Sequence, residues 1–226
     1  MPIITVKNLI KNYSNGEVLT RVLRGVDLEI QEGEFVAIMG KSGAGKSTLL
    51  YQMGLLDTPT EGDLVIDGID VLSLSEKQRT NFRLTRLGYV FQDYALVPEL
   101  TALENVAIPL LMEGFSQFEA EEKSRQALTD LGLSEKCNNQ PNQLSGGEQQ
   151  RVSIARAIVQ NPKILFADEP TANLDSVSSE AVLEALTKLH KQGQTIVMVT
   201  HEEEYTRNCD KVIYLVDGAI AQTKIL

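Results

Sequence analysis

The nine residues Gly40-Lys41-Ser42-Gly43-Ala44-Gly45-Lys46-Ser47-Thr48 constrain this chain more than any other stretch. They place a glycine, four variable residues and then Gly-Lys-Ser between an apolar run, Phe35 to Met39, and a helix-forming run, Thr48 to Gly54. Strand, glycine loop and helix in that order form the phosphate-binding pattern G-x-x-x-x-G-K-[ST]. Glycines let successive N–H groups converge on one concavity, and the following helix adds its positive end. In such a loop Lys46 reaches the β- and γ-phosphates of a nucleotide, and the Ser47 hydroxyl ligates Mg²⁺. The loop predicts an ATP site within an α/β fold.

The rest of the chain agrees with that fold class. Strand-like runs Ile3 to Tyr13, Val22 to Ile30, Phe35 to Gly40 and Leu64 to Val71 fill the first third, separated by turn signals such as Asp67-Gly68. A middle block, about 93–160, reads as helical: Thr101 with Glu104 and Ser116 with Glu119 are capping boxes ahead of apolar-periodic runs. Apolar runs Ile164 to Ala167, Thr195 to Val199 and Val212 to Val216 then alternate with helices near Ser178 to Lys191 and Glu202 to Arg207. Such alternation predicts a mostly parallel sheet with helices on both faces. The expected architecture is a P-loop NTPase core with a mostly parallel sheet, an N-terminal antiparallel β subdomain and a helical subdomain inserted in the core. One domain spans 1–226, with its core at about 1–92 and 161–226 and the helical part at about 93–160.

Composition narrows the partners. A formal net charge of −10 argues against nucleic acid, whose recognition needs clustered Lys and Arg. The basic run Lys77, Arg79, Arg83 and Arg86 reads as a solvated helix face. Cys137 and Cys209 stand far apart, in no metal-like spacing, and read as free thiols of a reducing compartment. No stretch approaches the ~20 apolar residues of a membrane helix, and no secretory signal opens the sequence. The expected location is the cytoplasm.

Two further stretches carry chemistry. Lys163-Ile-Leu-Phe-Ala-Asp168-Glu169-Pro170 ends a buried run on adjacent carboxylates. Asp168 suits Mg²⁺, and Glu169 suits polarisation of an attacking water, although acids also end strands before a proline for local reasons. Leu144-Ser145-Gly146-Gly147-Glu148 opens a helix with a capping box, yet consecutive glycines weaken a first turn unless something approaches the backbone closely. This is a second helix start suited to an anion, without a lysine of its own. It is suited to covering the γ-phosphate of ATP held by another copy.

Together these stretches resemble the ATP-binding subunits of ABC transporters over essentially the whole chain. The resemblance implies that Tyr13 stacks on adenine and that Gln92, in Val90-Phe91-Gln92-Asp93, contacts metal and water. It implies that Asp175, in Ala172-Asn173-Leu174-Asp175, lies along a dimer interface, and that His201 contacts the γ-phosphate. Each also has a plain reading: an exposed strand tyrosine, a strand end, a helix cap and a helix-start histidine. Leu55-Leu-Asp-Thr-Pro-Thr-Glu-Gly62 and Phe91-Gln-Asp-Tyr-Ala-Leu-Val-Pro98 look like the lipoprotein-release and macrolide-export branch (LolD and MacB type). Asn105-Val-Ala-Ile-Pro-Leu110 is also similar to the cell-division branch (FtsE type). Lys41, Ala172 and Glu202 depart from residues common in the export branch, none of them removing a catalytic group. The implied function is ATP hydrolysis in a head-to-tail homodimer that drives a membrane permease docked near Gln92 to Leu111. The protein would then lie on the inner face of the membrane through that permease. The alternative is an ATP-driven switch for a membrane scaffold controlling cell-wall hydrolysis.

Overall fold

The structure, a computed structural model, describes residues 2–16 and 18–226. In chain order come β1 (Pro2–Asn15), β2 (Val18–Gln31), β3 (Phe35–Met39), α1 (Lys46–Met53), β4 (Glu61–Ile66), β5 (Ile69–Asp70), α2 (Glu76–Arg86) and β6 (Leu87–Val90). They are followed by α3 (Ala102–Glu113), α4 (Gln117–Asp130), α5 (Gly146–Ile158), β7 (Ile164–Asp168) and α6 (Ser176–Lys191). Strands β8 (Thr195–Val199), β9 (Lys211–Val216) and β10 (Ala219–Ile225) complete the chain. Two compact units result, residues 1–81 with 193–226, and residues 82–192.

The first unit contains an antiparallel sheet of order β2-β1-β4-β5. Register shifts along β1 and β2 bend this long ribbon, as bulges do. The run expected as one strand from Leu64 to Val71 is two, because Asp67 and Gly68 take positive φ (51° and 73°) and turn β4 back into β5. Elsewhere in this unit, β3 lies between β8 and β9 and is parallel to both. All five residues of β3 and of β8 are buried, as strands covered on both faces require, and both read as unbroken apolar runs. β10 closes the edge antiparallel to β9. It had no sequence signal because most of its residues are exposed and Gln222, Thr223 and Lys224 interrupt any apolar run. The helix expected from Glu202 to Arg207 is a single 3-10 turn, Glu203–Thr206.

The second unit pairs β6 with β7 in parallel and contains α3, α4, α5 and α6, of which α5 packs on β6 and is flanked by the other three. Three of the helices start on capping boxes, at Thr101, Ser116 and Ser145, each with the side chain accepting from the N–H three residues on. Such caps are each worth about 1 kcal/mol and fix where the helix begins. The basic run does lie on a helix, α2, but is not uniformly solvated. Arg79 is nearly buried, donating to Thr58 Oγ1 at 2.9 Å and pairing with Glu76 at 3.3 Å. Both cysteines are free and buried, and burial, with the Asp210 charge nearby, pushes the Cys209 thiol up to about 12. That thiol is chemically inert at neutral pH.

Candidate functional site

The phosphate loop sits between β3 and α1 in the first unit. Gly45 is the N-cap of α1 at φ 98°, a conformation that strains any residue with a Cβ, and no side chain caps this helix end among the described residues. A helix start of this kind suits an anion. Lys46 is 6% exposed, and its Nζ turns back over the loop to the Lys41 carbonyl at 3.3 Å. The ammonium is therefore held across the concavity. Lys41, Ser42 and Gly43 form its exposed rim, and Ala44 is buried beneath it.

Tyr13 and His201 belong to the same unit. Tyr13 lies near the end of β1 and is 43% exposed, its phenol donating to Asp57 Oδ2 at 2.7 Å. His201 follows β8, is exposed, and has Nε2 at 3.2 Å from Glu202 Oε1.

The second unit holds the other candidates. Asp168 is the last residue of β7 and only 5% exposed. Glu169 follows at φ 44°, a left-handed conformation that costs a non-glycine residue of order 1 kcal/mol. Strain of this kind persists where the surrounding structure enforces it, and the Ala172 N–H donating to the Glu169 carbonyl at 3.0 Å is one such tie. Asn173 is also left-handed (φ 65°), so residues 169–175 form a tight double turn. Asp175 caps α6, accepting from the Ser178 N–H at 2.9 Å and from the Ser178 hydroxyl at 2.8 Å. Those bonds, the backbone one first, hold its carboxyl below the usual range. The plain reading of Asp175 as a cap is thus realised.

Helix α5 begins at the glycine pair. The Ser145 N–H donates to Glu148 Oε2 at 2.8 Å, and the Glu148 N–H donates to Ser145 Oγ at 3.2 Å. Lys136, from the 3-10 turn Ser134–Lys136, reaches the other Glu148 oxygen at 3.2 Å. The Ser145 N–H, with Lys136, keeps Glu148 ionised and fastened to its own chain. Ser145 itself is exposed at this helix start. The glycines also have an internal cause that spacing did not reveal. A Cβ on Gly146 would stand 2.9 Å from the Tyr94 hydroxyl, and one on Gly147 2.8 Å from Ser178 Cβ and Oγ. Gly147→Val is therefore expected to wedge α5 from the start of α6 and cost about 1–3 kcal/mol of stability, read by urea denaturation.

Three holding residues escaped sequence reasoning. Gln92 is exposed just after β6, at the start of a loop in which Tyr94 and Ala95 have φ 63° and 49°. Arg156 of α5 clamps that loop, donating to the Ala95 carbonyl at 2.7 Å and the Tyr94 carbonyl at 3.0 Å. Gln150, also on α5 and fully buried, donates to the Phe91 carbonyl at 3.3 Å. Asn105 of α3 is fully buried and ties residues 97–101 together through four bonds, to Val97 N and to the carbonyls of Val97, Leu100 and Thr101. A buried Asn inside the apolar run of α3 was the one available signal. Along the expected docking strip, Tyr94 and Leu96 are half-buried, while Val97, Leu111 and Met112 are exposed.

The sequence profile of the ABC transporter family matches residues 23–172. The chain is similar to the lipoprotein-releasing system ATP-binding protein LolD of Aquifex aeolicus, with 46% identity over 95% of this chain and 93% of that one. It is also similar to the macrolide export ATP-binding/permease protein MacB of Aggregatibacter actinomycetemcomitans, with 47% identity over 97% of this chain. That match spans 34% of the longer protein. Among solved structures, the dimeric post-hydrolysis state of the ATP-binding cassette MJ0796, bound to ADP and Pi, matches with a TM-score of 0.92 and 44% identity, over 99% of this chain and 98% of that one.

Proposed function

This chain belongs to the ABC transporter family of ATP-binding proteins and is an ATPase, and from that membership we propose a role as the motor subunit of a lipoprotein-release or macrolide-export type complex. One observation carries the reading. The phosphate loop has its lysine, whereas the second anion-suited helix start, Ser145 to Gly147, has none and stands in the other compact unit. A loop with a cation and a helix start without one are two complementary halves of an ATP site.

In this reading ATP is held by Gly40 to Thr48, with Lys46 on the β- and γ-phosphates and Tyr13 under the adenine. Ser47, Gln92 and Asp168 would hold Mg²⁺, a hydroxyl, an amide and a buried carboxylate being oxygen ligands of the type that ion takes. When bound, the ion neutralises charge on those phosphates. The Ser145 hydroxyl and the N–H groups of Gly146 and Gly147 of a second copy cover the γ-phosphate, so two chains close head to tail. Glu148 contributes by fixing that helix start. Glu169 polarises the attacking water, His201 orients the γ-phosphate, and Asp175 runs beside the partner chain. Closure would be transmitted to a permease docked near Gln92 to Leu111, where Arg156 and Asn105 stiffen the contact loop. No helix among the described residues is long and apolar enough to cross a membrane, so the permease would provide attachment at the inner face.

The named relatives favour transport over the scaffold-switch alternative. The test is co-expression with the membrane protein that purifies with this chain, followed by reconstitution in vesicles. ATP-dependent release of lipoprotein or efflux of a macrolide, abolished by Glu169→Gln, is the expected result. A complex that hydrolyses ATP, moves neither, and instead activates a cell-wall hydrolase would overturn it.

A further inference from the structure

We propose that Asp57 is a positioning residue for nucleotide binding, clamping the Tyr13 ring in place and tying it to the phosphate-loop helix. The inference rests on the reading of Tyr13 as the adenine platform and adds to it the group that holds the platform still.

An aromatic side chain at the exposed end of a strand ordinarily samples several rotamers. Freezing one on ligand binding costs about 0.5–1.5 kcal/mol. Tyr13 is 43% exposed, yet its ring is held at the hydroxyl and against one face. The phenol donates to Asp57 Oδ2 at 2.7 Å. Lys11 Nζ sits 4.7 Å from the ring centroid. That ammonium is held by Asp57 Oδ1 at 2.8 Å and by the Thr58 carbonyl at 2.7 Å. A cation on one side leaves the opposite face to carry the ring's exposure, which is where a base would stack.

Asp57 is itself over-determined. Besides Tyr13 and Lys11, it accepts from the Thr58 N–H at 2.7 Å and from Gln52 Nε2 at 3.0 Å. Burial opposes its ionisation, but the bonds from Lys11, Tyr13, Thr58 and Gln52 prevail and hold its carboxyl at about 2, so it is an anion at any working pH. Gln52 belongs to the last turn of α1 and is fully buried, with its Oε1 lacking any hydrogen-bond partner. Its amide is turned toward Asp57 at the expense of its own carbonyl. Helix α1 thus begins at the phosphate-binding residues Lys46 and Ser47 and ends on the carboxylate that orients Tyr13. The spacing between base platform and phosphate cradle is set within one rigid element.

A carboxylate that merely fastened β1 to the loop after α1 would affect all ligands alike, so two probes separate the roles. Dissociation constants for ATP and for inorganic tripolyphosphate, each with Mg²⁺, are measured by calorimetry on the purified chain. Asp57→Ala and Tyr13→Phe are each expected to weaken ATP about fivefold and to leave tripolyphosphate unchanged. The double variant is expected to be no weaker than either single one, because both remove the same bond. Tyr13→Phe keeps the ring and the fold even where Asp57→Ala is poorly stable. Equal weakening of ATP and tripolyphosphate by Asp57→Ala would overturn the proposal, as would parental ATP affinity in Tyr13→Phe. Tyr13→Ala guards the premise: if it weakens ATP while Tyr13→Phe does not, the platform stands and the clamp falls. If Tyr13→Ala also binds ATP normally, the platform reading falls with it.

Discussion

Replacing Glu169 by Gln is expected to lower ATP turnover about a thousandfold, the usual worth of a positioned general base, while ATP affinity is kept. The amide copies the shape of the carboxylate but cannot take a proton from water. The position favours this role for structural reasons as well. Glu169 follows a strand whose residues are all buried, and it is held at a positive φ that a glutamate does not adopt without compensation. Phosphate release at saturating ATP is the readout. Hydrolysis at the parental rate would remove Glu169 from the chemistry.

Lys46→Ala is expected to weaken ATP by about a hundredfold or more, since removing one member of a buried charge pair costs on the order of 2–5 kcal/mol. The size of the effect follows from the rest of the molecule. With a formal net charge of −10, the chain as a whole repels a polyanion, and binding depends on local dipoles and a few placed cations. Lys46 is 6% exposed and crosses the loop, so its charge acts with little screening by water. Calorimetric titration with ATP measures the loss directly. Unchanged affinity would mean that the loop is a turn and not a cradle.

Much of the frame was legible because its causes are local. Strands β3, β7 and β8 are buried throughout and wrote themselves as unbroken apolar runs. The boxes at Thr101, Ser116 and Ser145 announced their helices through contacts only three residues long. What stayed hidden depends on distant partners. Arg156 earns its position from carbonyls more than sixty residues away, and Asp57 from Tyr13, forty-four residues earlier. Gly146 and Gly147 illustrate the middle case. Their oddness was visible in the sequence and suggested a ligand, but the close neighbours Tyr94, Leu174 and Ser178 also demand them. Arg79 was misread as solvent-facing because nothing near it in sequence indicated Thr58 as a partner.

In the proposed cycle each ATP is enclosed by two copies of this chain, the phosphate loop of one and the Ser145 helix start of the other. Sedimentation velocity of the Glu169→Gln chain tests it directly, with ATP or ADP, alongside the same chain carrying Ser145→Arg. A dimer is expected with ATP and a monomer with ADP, and a monomer under both conditions once Ser145→Arg is added, although calorimetry still finds ATP bound. A Glu169→Gln chain that binds ATP and stays monomeric, or a Ser145→Arg chain that dimerises as before, would contradict it.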